Sequence, residues 1–280
     1  MTLSPWLLCQ LAALSAAAWL FFRTTRDLPP ARAGALRWAL VRALPFTVVG
    51  ALCVDYALRV VGYALAGARG PLPAFGGIMA YGALFGLGGA YAFFARGARL
   101  DVYAALDRVT GPLALLAAVG RVGCFLAGCE HGAPTSAPWG VRYPASHPHF
   151  AELTRAGLAE AGAAWSSPLH PATLYEAAFA LAACALSVSL LPRPSTKPGG
   201  VFFAGTLVYA GGRFVSEAFR GDGAHGLSGA DHGALTTGQA MSLFAIGLAV
   251  SLALRANEAQ PVPEVEPVTK RCRVRSGPPL

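Results

Sequence analysis

Seven long apolar segments dominate this 280-residue chain, and each is long enough to cross a lipid bilayer. A helix that spans the hydrocarbon core needs about 20 mostly apolar residues. The predicted spans are 3–22, 43–66, 71–95, 109–128, 167–191, 199–219 and 234–254. Only 13% of the residues are charged, about half the share of a soluble domain. We therefore predict an all-α, polytopic membrane protein with seven transmembrane helices.

The distribution of basic residues predicts the orientation of these spans. Cytoplasmic loops carry an excess of Lys and Arg. With the N-terminus outside, the cytoplasmic segments hold 15 basic residues and the external segments hold 5. This placement predicts an external N-terminus and a cytoplasmic C-terminus. It also explains the net charge of +8 by attraction to anionic lipid headgroups, and it argues against a nucleic-acid partner.

The chain is predicted to have one membrane domain and one tail. Residues 1–255 form the seven-span domain, with a long external loop at 129–166 that includes a short helix at 150–164. Residues 256–280 are rich in Pro and charge, which predicts a disordered cytoplasmic tail.

Charged side chains inside the predicted spans are the strongest indication of function. A charge at membrane depth is costly unless it is paired or hydrated, so it marks a functional site by default. Arg121, Glu176, Arg213 and Glu217 stand out, and Asp55 and Arg59 interrupt the second span. Arg213 and Glu217 are one helical turn apart, and Arg220 follows on the same face. One interpretation is an internal ion pair with a snorkelling arginine. The other is an anion site in which Glu217 orients an arginine towards a phosphate.

Further motifs lie close to these charges in the sequence. Gly120, Gly123 and Gly128 surround Arg121, which leaves room for a lipid headgroup. His170 begins a segment that also contains Tyr175 and Glu176. Cys124, Cys129 and His131 suggest a third possibility, a redox or metal site, although their spacing is not a usual zinc pattern.

Taken together, the motifs GRVGCFLAGCEHG, PTSAPWGVRYP, HPATLYEA, GGRFVSEAFRGD and TTGQAMSL resemble those of bacterial prolipoprotein diacylglyceryl transferases. They occur in the family's order, and the resemblance runs from about residue 74 to residue 254. It implies a seven-span enzyme of the bacterial inner membrane that uses no metal or organic cofactor. Its substrates would be phosphatidylglycerol and an exported precursor with a lipobox cysteine. The diacylglyceryl group would move to the cysteine thiol, and glycerol phosphate would leave.

The resemblance also implies roles for individual residues. Arg121 and Arg213 match arginines that would bind the phosphate, and Glu217 matches the helical partner of Arg213. Glu130 and His131 are further catalytic candidates, because either could take the thiol proton. The substrate-binding candidates are Gly123, Cys124, Gly132, His170, Tyr175, Glu176, Arg220 and Gln239.

Tyr81 stands where the family carries a histidine that is a proposed base. Tyrosine has an ordinary pKa near 10, which makes it a weak base at neutral pH. Besides the redox or metal possibility for Cys124, Cys129 and His131, two functions therefore remain open at this point. The chain is either a transferase whose catalytic group includes Tyr81, or a non-catalytic phospholipid-binding or accessory paralogue that has lost its base.

Overall fold

A computed structural model describes residues 4–65, 67–69, 71–72, 79–128, 130–148, 150–221 and 235–258. Eight helices occur within these residues. They are α1 (Pro5–Thr24), α2 (Pro30–Leu65), α3 (Ala80–Gly97), α4 (Val102–Ala127), α5 (Phe150–Arg155), α6 (Ala172–Leu190), α7 (Gly200–Glu217) and α8 (Thr237–Glu258). The predicted all-α class is confirmed, and the chain is a multi-pass membrane protein.

Five of these helices are long and apolar enough to cross a membrane: α1, α2, α4, α6 and α8. The other two long helices, α3 and α7, have 18 residues each. Arg96 lies in the last turn of α3, whereas Arg213 and Glu217 lie in α7. These charges lower the mean hydropathy of both helices, although both pack within the same bundle.

Several predicted boundaries differ from the structure. Helix α3 begins at Ala80 rather than at 71, and helix α4 begins at Val102 rather than at 109. Helix α8 ends at Glu258, within the tail predicted at 256–280. Helix α2 begins at Pro30, thirteen residues before the predicted span, because proline is well suited to the first turn of a helix. Its basic first part is anchored to the end of α1, where Arg37 donates to Thr25 Oγ1 at 3.2 Å and lies 4.4 Å from the centroid of the Phe22 ring. Helix α6 begins at Ala172, directly after Pro171, which is its N-cap residue.

The predicted helix at 150–164 is only the six-residue α5. Gly157 has a φ of +73°, a conformation that glycine adopts without steric cost. The C-terminal tail at 259–280 lies outside the described residues, so the prediction of disorder there remains a prediction.

The bundle packs as two connected groups of helices. One group is the hairpin of α2 and α3, and the other contains α1, α4, α6, α7 and α8. The hairpin depends on Gly50, Gly82 and Gly86, since a Cβ at any of them would collide with backbone of the opposite helix. Small residues at this spacing permit the close backbone approach that stabilises helix pairs in lipid.

The long loop between α4 and α6 forms a small compact unit above one end of the bundle. Its core contains Tyr143, Phe150, Leu153 and Leu169. Isolated antiparallel bridges join Val141 to Leu169 and Gly132 to Arg220. The second bridge attaches the start of the loop to the end of α7, next to the charged residues of the spans.

Candidate functional site

Six charged side chains from distant parts of the sequence meet at the loop end of the bundle. We call them the charge cluster: Arg121 on α4, Glu130 in the loop, Glu176 on α6, Arg213 and Glu217 on α7, and Arg220 just beyond α7. All of these residues are sequence-predicted candidates. Their meeting satisfies the requirement that charges at membrane depth be paired.

Each arginine of the cluster contacts two glutamates. Arg121 contacts Glu130 at 2.6 Å and Glu176 at 2.7 Å. Arg213 contacts Glu176 at 3.1 Å and also Glu217, four residues away on the same helix. Arg220 completes the ring with Glu130 at 3.0 Å and Glu217 at 3.9 Å. Three positive and three negative side chains make the cluster formally neutral.

The carboxylates hold the arginines without using all of their donors. The side chain of Glu176 is 2% exposed, yet its ion-pair contacts lack the angles of directed hydrogen bonds. A guanidinium group carries five N–H donors in a planar fork. Within the described part of the chain, the two contacts of Arg121 and the two of Arg213 leave further N–H donors of these side chains for an anion in the adjoining cavity.

The electrostatics of Glu130 follow from its two arginine contacts. Burial alone raises the pKa of this carboxyl, but the charges of Arg121 and Arg220 outweigh burial and leave the pKa below its ordinary value. Glu130 is therefore ionised at neutral pH. A carboxylate held in this way is a weak base and is better suited to orienting arginines.

A polar cavity of about 350 Å³ opens beside the charge cluster. Arg121, Glu130, Arg213, Glu217 and Arg220 line one side of it. The remaining lining comes from α2, α3, α7, α8 and the residue before α3, and consists of Asp55, Met79, Ala80, Tyr81, Leu84, Tyr209, Thr237 and Gly238. This arrangement of arginine donors around a cavity suits a phosphate-bearing ligand.

A second cavity of about 590 Å³ lies deeper in the bundle between α3, α4, α7 and α8. Its lining is almost entirely apolar, and Tyr81, Leu84 and Tyr209 line both cavities. The two cavities therefore adjoin. A charged compartment followed by an apolar one matches the two halves of an amphiphilic molecule.

Tyr81 lies at the junction of the two cavities. Its hydroxyl is 2.7 Å from Ser242 Oγ, and Ser242 donates its own hydrogen to the Gly238 carbonyl at 2.8 Å. Because the serine hydrogen is already used, Tyr81 must donate to Ser242. The phenol is thus held in place as a donor by α8, while its oxygen can still accept a hydrogen bond.

Gly132 occupies the point where three backbone segments meet. Ala133 N–H donates to the Phe219 carbonyl at 2.9 Å, and Gly221 N–H donates to the His131 carbonyl at 3.0 Å. A Cβ on Gly132 would collide with the carbonyl of His170. The glycine therefore allows the loop to approach α7 closely enough for Glu130 to reach Arg220.

The side chains of residues 170–176 lie in two different environments. Glu176 points into the charge cluster, whereas Tyr175 belongs to an aromatic group at its edge. Tyr175 Oη accepts from Trp139 Nε1 at 2.7 Å and lies 3.0 Å from His170 Nδ1. The Phe219 ring packs against both His170 and Tyr175. This group supports the loop between α4 and α6 next to the charge cluster.

The remaining predicted residues lie outside the cavity linings. Gly123 packs α4 against Cys9 of α1, and Cys124 follows it on α4. Gln239 Oε1 accepts from Thr236 N–H at 3.0 Å, while Thr236 Oγ1 accepts from Gln239 N–H at 3.1 Å. This reciprocal pair is a capping box that begins α8.

The described residues contain no group of three or more His, Cys, Asp or Glu side chains that could hold a metal ion. Cys129 lies outside them, so the redox or metal hypothesis for Cys124, Cys129 and His131 stays a hypothesis. His131 Nδ1 is buried and has no hydrogen-bond partner within the described residues.

Sequence reasoning missed several residues of the cavities. Asp55 could have been found from the sequence, since it is a charged residue that interrupts an apolar segment. Its carboxylate Oδ2 lies 2.7 Å from Arg59 Nε. The sequence did not single out Tyr209 or Ser242, because aromatic and hydroxyl side chains are common on every face of a membrane-spanning helix. Only the packing of α7 and α8 brings Tyr209 to both cavities and Ser242 to the Tyr81 hydroxyl.

Comparisons with known proteins give a family match over most of the chain. A family model described as prolipoprotein diacylglyceryl transferase matches residues 3–255. A phosphatidylglycerol--prolipoprotein diacylglyceryl transferase of Paenarthrobacter aurescens (strain TC1) is 33% identical over 91% of this chain and 79% of its own length. The protein with the same description in Clostridium tetani (strain Massachusetts / E88) is 32% identical over 61% of this chain. The match spans only 60% of the Clostridium tetani protein.

Proposed function

The chain belongs to the prolipoprotein diacylglyceryl transferase family, and we propose that it transfers the diacylglyceryl group of phosphatidylglycerol to a cysteine thiol of an exported prolipoprotein. The observation that carries this proposal is the charge cluster beside the polar cavity. Its arginines suit the phosphate of the donor lipid, and the adjoining apolar cavity suits the lipid's hydrocarbon part.

In the proposed reaction, the substrate thiolate attacks the glyceryl carbon that carries the phosphate oxygen. A C–S bond forms, the C–O bond breaks, and the electron pair leaves with the phosphate of glycerol phosphate. Arg121 and Arg213 stabilise the charge that develops on the phosphate oxygens. Glu176 and Glu217 hold both guanidinium groups in place.

The thiol proton needs an acceptor, and we assign this role to His131. Imidazole is the most frequent general base at neutral pH. His131 directly follows Glu130, which lines the polar cavity, and its Nδ1 has no hydrogen-bond partner in the described part of the chain. Glu130 is less suited, because two arginines already bind its carboxylate.

We further propose that the protein lies in the bacterial inner membrane with seven spans, an external N-terminus and a cytoplasmic C-terminus. Two observations support the proposal: α3 and α7 pack among the five apolar helices, and the charge cluster lies at the same end as the long loop. In this orientation, the site opens towards the side where an exported lipobox peptide arrives.

The decisive experiment measures transfer from labelled phosphatidylglycerol to a lipobox-cysteine peptide by the purified chain. We expect Arg121→Ala and Arg213→Ala each to lower the rate by at least about 100-fold, because loss of one preorganised charge donor typically costs that much. The matched control is Arg155→Ala, which removes an exposed arginine of α5 and should leave the rate unchanged. Absence of transfer by the unaltered chain would refute the proposed reaction.

One observation favours a second function, a non-catalytic phospholipid-binding or accessory protein. Tyr81, at the position of the family's histidine, is held as a donor to Ser242. This alternative predicts that the unaltered chain binds phosphatidylglycerol without transferring its diacylglyceryl group, and that Tyr81→His gains transfer. An active unaltered chain would exclude it.

A further inference from the structure

The apolar cavity has the depth of a single lipid leaflet. Along α3, its lining runs from Tyr81 to Ala92, a distance of roughly 16 Å at about 1.5 Å per residue. The hydrocarbon core of a bilayer is about 30 Å thick, so one leaflet contributes about 15 Å. A hydrocarbon chain that extends from the polar cavity would therefore reach the far end of the apolar one.

The α3 side chains that line this cavity become smaller with distance from the polar cavity. Near the polar cavity, the lining side chains are Tyr81, Leu84 and Phe85, whereas Gly88, Gly89 and Ala92 follow towards the other end. A Cβ added to Gly88 or Gly89 would meet no atom within 4 Å. This open space contrasts with Gly82 and Gly86 of the same helix, where a Cβ would collide with α2.

Bulky side chains line the cavity beyond the glycines. Leu106 lies near the start of α4, Phe202 near the start of α7 and Leu252 near the end of α8. All three positions are at the end of the bundle opposite the charge cluster. The two glycines thus keep the middle of the cavity wide, while these side chains limit its depth.

We propose that Gly88 and Gly89 determine which acyl-chain lengths the protein accepts in its phospholipid substrate. The occupant of the apolar cavity is one acyl chain of the lipid whose phosphate lies in the polar cavity, so the inference rests on the proposed function. A side chain at either glycine would fill the space that the distal half of a long acyl chain needs. Gly88 lies about 10 Å along α3 from Tyr81 at about 1.5 Å per residue, so chains of about eight carbons, at about 1.3 Å per carbon, would end before reaching it.

The test uses the purified full-length chain and its Gly88→Leu and Gly89→Leu variants. Leucine favours a helix more than glycine does, and the space around both positions is open, so both variants should fold. Each protein is incubated with equimolar dioctanoyl and dimyristoyl phosphatidylglycerol, and the lipids that it retains are quantified by mass spectrometry. We expect the retained ratio to shift towards the dioctanoyl lipid by about tenfold or more, the discrimination that a filled apolar pocket provides.

The matched control is Gly247→Leu on α8, where a Cβ also meets nothing within 4 Å but the residue is exposed outside the lining of either cavity. It should retain both lipids in the ratio of the unaltered chain. An unchanged ratio in both test variants, equal loss of both lipids, or no lipid retained by the unaltered chain would overturn the inference. A transfer assay on the same samples separates the two proposals. If the retained lipid ratio shifts but none of the proteins transfers the diacylglyceryl group, the reaction is refuted and the chain-length inference is supported.

Discussion

The environment of Glu130 shows how a single side chain links the loop between α4 and α6 to the membrane helices. Its carboxylate accepts hydrogen bonds from Arg121 of α4 and from Arg220, which lies beyond α7. Glu130 therefore joins three parts of the chain. Removing one member of a buried pair leaves the other charge without compensation, which costs more than the pair itself contributes.

We predict that Glu130→Gln lowers the midpoint of thermal unfolding in detergent by roughly 4–8 °C, since a hydrogen bond to a charged group contributes about 2 kcal/mol. The pKa of Glu130 is lower in the folded protein than its ordinary value. Its contribution is therefore complete above the unfolded pKa, near 4.3, and is lost as the pH falls through the folded pKa. Differential scanning fluorimetry should show a constant difference between the two proteins from pH 8 to about 5. The difference should shrink towards pH 3, and a difference that stays constant in acid would contradict this account.

At the scale of helices, the α2–α3 hairpin forms the side wall of both cavities. Asp55 of α2 and Tyr81 of α3 line the polar cavity, and Val54, Phe85 and Gly88 line the apolar one. The hairpin is positioned by the close contact between Gly50, Gly82 and Gly86. The width of the cavities therefore depends on how closely these two helices approach.

We predict that Gly86→Leu forces α2 and α3 apart and abolishes a monodisperse fold in detergent, because its Cβ would collide with the Phe46 carbonyl. The control is Gly97→Leu at the end of the same helix, where a Cβ meets nothing within 4 Å. Size-exclusion chromatography and thermal unfolding distinguish the two. Normal elution of Gly86→Leu, with an unfolding midpoint within about 2 °C of the unaltered chain, would show that the hairpin does not depend on this contact.

For the whole molecule, the tryptophans mark two levels across the bundle. Trp19 and Trp38 are exposed at one end, whereas Trp6, Trp139 and Trp165 are exposed at the other. Tryptophan is enriched where a membrane meets water. We infer from these two levels that the charge cluster lies near one membrane surface, and the basic residues around Arg23 and Arg37 near the other.

Reporter fusions should determine the orientation. We predict that alkaline phosphatase fused after Glu160, in the external loop, is active, because this reporter folds outside the inner membrane. The same reporter fused after Lys197, between α6 and α7, should be inactive. A fluorescent protein that folds only in the cytoplasm gives the reciprocal readout at both sites, and the opposite pattern would reverse the proposed topology.

The sequence predicted the helical bundle and the members of the charge cluster, because apolar length and costly intramembrane charge are local signals. It could not predict the start of α2 at Pro30, since the basic stretch around Arg32 and Arg37 lowers the mean hydropathy of a segment that is nevertheless helical. Nor could it predict that Gln239 caps α8 and Tyr81 donates to Ser242. Those contacts depend on which faces of the helices meet.

The neutrality of the charge cluster has a consequence for biogenesis. During synthesis, α4 enters the membrane with Arg121 before Glu176 of α6 and the charges of α7 have been made. An arginine at the centre of an isolated span costs about 3 kcal/mol, and of its two carboxylate partners only Glu130 precedes α6 in the chain. A chain that stops short of α6 therefore leaves Arg121 without the buried carboxylate of Glu176, which distinguishes it physically from a finished one. The residues proposed to bind phosphate would thus also report that the protein has been completed.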